Sequence, residues 1–294
     1  MLNKIKSKYI INQILNPIKN KRKLNIIKYN KVMAAKLNIT KEDFEVYLKL
    51  KEFNTKYNTD IEDVDIEELD LSNQNLETTG LKLLSTIKFL NLKTLNLNDN
   101  EIDDISILEK IDLKGLKELD LGDNKISNIN ILKRVNLREL EVLYLNDNLI
   151  ADINVLEKVN FNKLKELDLA NNEITDIDIL EKVNFRELEE LDLKDNEITN
   201  LRVLEKVDFK DLKELILSGN RISDFSILEN ANFKELKSLS LSRTCLKNKS
   251  VLSKLNFIKL EKLYCSATGI TDINILSKCN FKNLKELYLS RNGI

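Results

Sequence analysis

A twelve-residue segment, LKELDLGDNKIS at Leu116–Ser127, recurs as LKELDLANNEIT at Leu164–Thr175 and as LEELDLKDNEIT at Leu188–Thr199. Aligned on its first leucine, it has equivalents at Ile66, Leu92, Leu116, Leu140, Leu164, Leu188, Leu212, Leu236, Leu260 and Leu284, spaced by 26 residues once and by 24 thereafter. A unit this small cannot bury a core of its own. Ten copies must therefore stack and share one, and the chain is confined to a solenoid.

Within the unit, Leu116, Leu119 and Leu121 are separated by polar residues, which predicts a short strand with one buried face. Stacked strands of this kind form a parallel sheet over a continuous leucine core. An asparagine column (Asn100, Asn124, Asn148, Asn172, Asn196, Asn220, Asn292) falls where the chain leaves each strand. An inward amide there can both donate to and accept from buried turn backbone. Four residues on, Asp104, Asn128, Asp152, Asp176, Asn200, Asp224 and Asp272 suit a side-chain to backbone bond that opens the next turn. A third column, Phe161, Phe185, Phe209, Phe233, Phe257 and Phe281, is expected to stack as a spine behind the sheet. Thr244 and Thr268 replace the asparagine and Lys249 an isoleucine, so repeats eight and nine are expected to be locally irregular.

The pattern L-x-x-L-x-L-x-x-N-x-I followed by I-x-D-I-x-x-L resembles the leucine-rich repeats of bacterial internalins and of the leucine-rich regulatory subunit of type 1 phosphatase, whose repeats are about two residues shorter. The resemblance covers about Asp60 to Ile294. It implies an α/β fold: a curved leucine-rich repeat solenoid of about ten repeats, a parallel sheet on its concave face, and a protein-binding rather than catalytic role.

The residues themselves exclude much chemistry. The chain has no histidine, the commonest general base and metal ligand. Its six glycines lie too far apart to write a phosphate-cradling or dinucleotide-binding loop. No Cys-x-x-Cys pair is present. Three cysteines form no disulfide framework and point to a reducing, cytoplasmic setting. Cys265 and Cys279 occupy core positions and are expected to be buried and inert, and Cys245 sits in a turn. No catalytic residue, metal site or cofactor is expected, and no apolar run is long enough to span a membrane.

Specificity is then left to outward-pointing strand residues. One column runs Asp70, Asn96, Asp120, Tyr144, Asp168, Asp192, Ile216, Ser240, Tyr264, Tyr288; the one before it runs Glu68, Thr94, Glu118, Val142, Glu166, Glu190, Glu214, Ser238, Lys262, Glu286. Just past the strand, a third runs Asn73, Asp99, Asp123, Asp147, Asn171, Asp195, Gly219, Arg243, Ala267, Arg291. Over the first six repeats these columns hold twelve acids and no base. A partner with a basic segment is expected to be steered there, contacting Glu118, Asp120, Val142, Tyr144, Glu166, Asp168, Glu190, Asp192, Ile216, Tyr264 and Tyr288. The competing reading is that a duplicated KELDL motif makes a merely solvated surface.

Lysines and arginines number 47 against 48 acids, but the first eleven bases fall before any acid, so a basic head precedes an acidic body. Neither the balance nor the pattern calls for nucleic acid. In the head, residues 1–59, three helices are expected: Ser7 to Leu15, a second carrying Leu24, Ile27, Ala34 and Leu37, and a third, capped by Thr40 with Asp43, carrying Phe44, Tyr47, Leu48 and Tyr57. One reading is a cap on the first repeat of a 60–294 repeat domain. A second rests on Tyr9–Leu37, whose order of apolar helix, Pro17 loop and second helix is similar to an F-box, though it lacks the proline usual before the first helix. That resemblance implies a substrate receptor of a cullin ubiquitin ligase, with Ile11, Ile14, Leu15, Pro17 and Leu24 facing the adaptor. At the other end the chain stops at Ile294 inside the tenth repeat, so truncation, a partner or self-association is expected at that edge.

Overall fold

The computed structural model describes residues 41–294. Helix α1 (Lys41–Tyr57) leads into ten three-residue strands, β1 (Glu68–Asp70), β2 (Thr94–Asn96), β3 (Glu118–Asp120), β4 (Val142–Tyr144), β5 (Glu166–Asp168), β6 (Glu190–Asp192), β7 (Glu214–Ile216), β8 (Ser238–Ser240), β9 (Lys262–Tyr264) and β10 (Glu286–Tyr288). They form one parallel sheet in sequence order. The register follows the sequence alignment, with Glu118 opposite Val142 and Leu119 opposite Leu143. Each return passes through a short 3-10 turn, from Ser106–Lys110 to Ile273–Lys278. In repeat one, the two extra residues make room for an α-helix instead, α2 (Glu77–Leu84). A sheet on one side and turns on the other give an open, curved solenoid with the strands along its concave side.

The core is the predicted leucine stack. Leu116, Leu119 and Leu121, like their counterparts in neighbouring repeats, are fully buried, each contributing about 2 kcal/mol by leaving water. The asparagine column stitches repeats together. Asn148 Nδ2 donates to Leu121 O of the preceding repeat at 2.9 Å and to Leu145 O of its own at 3.1 Å, while its Oδ1 accepts from Ile126 N at 2.9 Å. Asn124, Asn172, Asn196 and Asn220 do the same. The aspartate or asparagine column opens each turn as expected, for example through Asp152 Oδ1 accepting from Asn154 N. Asn248 supplies the same bond to Ser250 N in repeat eight. Phe161 and Phe185 stack at 6.3 Å, as part of a spine that loosens at half-buried Phe281.

Repeats eight and nine keep their strand pairing. The expected irregularity lies in the bonds: Thr244 Oγ1 donates to Leu241 O of its own repeat, and Thr268 Oγ1 to Cys265 O of its own and, at 3.3 Å, to Asn292 Oδ1 of the next. Among the described residues, neither hydroxyl reaches the preceding repeat as asparagine does.

Helix α1 shares the solenoid's core. Tyr47, Leu50, Phe53 and Tyr57 are buried, and the last three join the leucine stack. Leu48, expected on the helix's apolar set, is 45% exposed: it lies one position from Tyr47, about 100° around the helix, and so turns away from the buried stripe. Gly80 of α2 admits α1 closely, since a Cβ there would stand 3.0 Å from the Tyr57 ring. The first two expected helices, the Thr40 cap and the F-box-like segment 9–37 lie outside the described residues.

Candidate partner-binding face

Alternation puts the centre of each strand into the core and its two flanks outward, so β3 to β7 present Glu118, Asp120, Val142, Tyr144, Glu166, Asp168, Glu190, Asp192, Glu214 and Ile216 on one face. All are half-buried. Tyr264 continues the column half-buried and Tyr288 ends it exposed, their rings stacked at 4.5 Å and 8°. The structure thus places the expected residues in two straight rows, with the tyrosine pair four strands or more from β4.

The three sequence columns differ in their backbone. Every member of the third, from Asn73 to Arg291, has positive φ, between +49° at Asp195 and +72° at Gly219. Asparagine, aspartate and glycine tolerate that conformation best, so Asp99, Asp123, Asp147 and Asp195 are placed there by the turn itself. The middle column is structural in part. Asp120, Asp168 and Asp192 each accept a backbone N–H two residues on, from Gly122, Ala170 and Lys194 at 2.7–2.8 Å. Glu118, Glu166, Glu190 and Glu214 do no such work for the backbone.

Carboxylates at the rim of the sheet are paired along the stack. Glu141 takes Lys117 and Lys165 at 2.8 and 2.7 Å, and these bonds hold its carboxyl at about 2. Glu189 pairs with Lys213, Glu235 with Lys259 and Glu261 with Lys285. The face is different. Among the described residues no ion pair involves Glu118, Asp120, Glu166, Asp168, Glu190, Asp192 or Glu214, and carboxylates on the neighbouring strands act on Glu190 and Asp192. Burial, then Glu166 and Glu214, push Glu190 up to about 7. Burial and, against the Lys194 N–H, Asp168 push Asp192 to about 7 as well. The Tyr144 hydroxyl is raised by burial and by its contact with Glu166.

Towards the C-terminal repeats the surface changes sign. Arg243 reaches across repeat seven to Asp195 at 2.6 Å, passing Gly219, where a Cβ would strike Asp195. Lys262 pairs with Glu286 at 3.2 Å. A shallow depression of about 350 Å³ lies at this junction, between Glu190, Lys213, Glu214, Lys237, Lys262 and Tyr264. Sequence reading missed Glu214 as a site residue, and the Arg243–Asp195 bridge. The bridge's signal was the lone glycine standing between the column's last acid, Asp195, and its first base, Arg243. Of the thiols, Cys265 is buried and pushed to about 12 by burial, Cys245 is exposed, and Cys279, expected to be buried, is half-exposed at the end of the last described return.

An open parallel solenoid whose strands offer a continuous outward wall defines a class of binding scaffold. The chain is a leucine-rich repeat protein. Family models described as Leucine Rich repeats (2 copies) match residues 114–158 and 162–206, and a Leucine Rich repeat model matches 90–107. Among solved structures, internalin C2 from Listeria monocytogenes is similar at 23% identity and TM-score 0.56, over 82% of this chain and 92% of that one. The PEPR1–AtPEP1 structure is similar at 22% and 0.54, over 69% and 28%. The TLR13–ssRNA13 complex is similar at 25% and 0.52, over 74% and 38%. A search of curated proteins finds no match.

Proposed function

We propose that this protein is a non-catalytic interaction scaffold whose concave face over β3–β7 captures a basic segment of a partner protein. One observation carries the reading: rim carboxylates are neutralised by lysines along the stack, whereas those of the face stand half-buried, unpaired and close to one another. Gathering like charges is unfavourable for the free protein, and a cationic partner would relieve it. AtPEP1, in the structure that pairs it with PEPR1, is an instance of a ligand held by a chain of this fold. Free thiols on all three cysteines fit a cytoplasmic setting. Among the described residues no helix is long and apolar enough to cross a membrane. We also take α1, with residues 1–59, to act as the cap of the 60–294 repeat domain, since its buried stripe covers the core of repeat one.

The test uses the glutamates, because they carry no backbone bond. Glu118, Glu166 and Glu190 changed together to lysine should leave the fold intact by circular dichroism and slow capture of native partners several-fold at low salt, with the difference vanishing at high salt. Equal capture by that variant at low salt would return the wall to a solvated surface.

A further inference from the structure

Two strands break the acidic pattern at matching places. In one row, Tyr144, Asp168, Asp192 and Ile216 stand opposite each other in register across β4 to β7, so apolar side chains close both ends of a strip whose middle is two carboxylates. The adjoining row, Val142, Glu166, Glu190 and Glu214, repeats the arrangement at the β4 end. Asp168 and Asp192 each use one oxygen on the backbone, and among the described residues the other makes no bond.

The dimensions select an occupant. Three strand spacings of about 4.8 Å separate β4 from β7, about 14 Å in all. An extended chain advances about 3.3 Å per residue and turns alternate side chains to one side. Four steps therefore cover about 13 Å and bring residues i, i+2 and i+4 down on the face together. Resting on the proposed function, we infer that β4–β7 bind an extended partner segment running across the strands, with apolar side chains at i and i+4 and lysine or arginine at i+2. The cation sits among Glu166, Asp168, Glu190 and Asp192. One apolar side chain rests on Tyr144 and Val142, and the other on Ile216. A helical partner fits less well. The strip is two residues wide along the strand, about 7 Å, and a helix is at least about 10 Å across.

A random dodecamer library displayed on phage, selected against the full chain at low salt, tests this. Selected peptides are then measured by fluorescence polarisation against the parent, Tyr144→Ser with Ile216→Ser, and Glu166→Gln with Glu190→Gln. The expected result is enrichment of the apolar-x-basic-x-apolar pattern. Each double variant should weaken binding at least tenfold, as should one residue inserted between the basic and the second apolar position. Enrichment at helical spacing overturns the inference. Basic peptides of no fixed spacing, lost with the glutamine pair but kept by the serine pair, also overturn it while leaving the acidic wall standing. No enrichment, or binding indifferent to both variants, overturns both.

Discussion

At the scale of the residue, two positions show how the same fold assigns opposite values to polar side chains. The buried asparagine replaces what a closed sheet would supply by backbone alone, donating to two repeats and accepting from a turn. Asn148→Ala strands several of those groups and should cost about 3 kcal/mol in urea unfolding. Thr244→Asn runs the other way: it restores a bridge to repeat seven and should stabilise by about 1 kcal/mol, and an unchanged midpoint would show that the seam is satisfied some other way. The face carboxylates act through pH. Glu190 and Asp192 rise from 4.5 and 3.8 to about 7 on folding, so the folded chain binds their protons more tightly than the unfolded chain. Their ionisation costs stability that is absent below about pH 4 and fully felt above about pH 7. Glu190→Gln with Asp192→Asn should therefore raise stability by about 1 kcal/mol per site at pH 8, after allowance for solvent screening, and change little at pH 4. A gain equal at both values would remove the electrostatic account.

At the scale of the element, each strand is three residues long and owes its place to its neighbours. That is why so much was legible from the sequence: a period of 24 residues fixes register, and register fixes which columns are buried. Departures from the period were harder to read. The 26-residue first spacing signalled a longer return but not that it would become α2. The third column read as charge when its cause was positive φ, a property of the backbone that a list of side chains carries only through its bias to Asp, Asn and Gly. Helix α1 was expected from its cap and apolar residues, but which apolar residues would face the core depended on where repeat one lies, so Leu48 was placed with the buried set while Leu50 and Phe53 were passed over. Phe53 is wholly buried in the shared core; Phe53→Ala should cost about 3–5 kcal/mol, with hydrogen exchange accelerating first in repeat one.

At the scale of the whole molecule, charge is sorted by surface. The rim carries lysine–glutamate ladders whose members are each partly exposed, worth little individually to stability but able to hold counter-charge away from the face. The outward rows of the face were legible in outline because columns of a solenoid run straight. What was not legible was that Asp120, Asp168 and Asp192 also hold the strand ends, so the glutamates beside them are the acids of the face that carry no backbone bond.

The two threonines have a mechanical consequence. A stack of repeats bearing load along its axis shares tension through its inter-repeat bonds, and the amide bridges are absent where Thr244 and Thr268 stand. Stretched from its ends, the solenoid should yield first beyond β7, letting the last three repeats peel away while the acidic face stays whole. The fold has a fuse, and it is wired outside the strands that carry the acidic face.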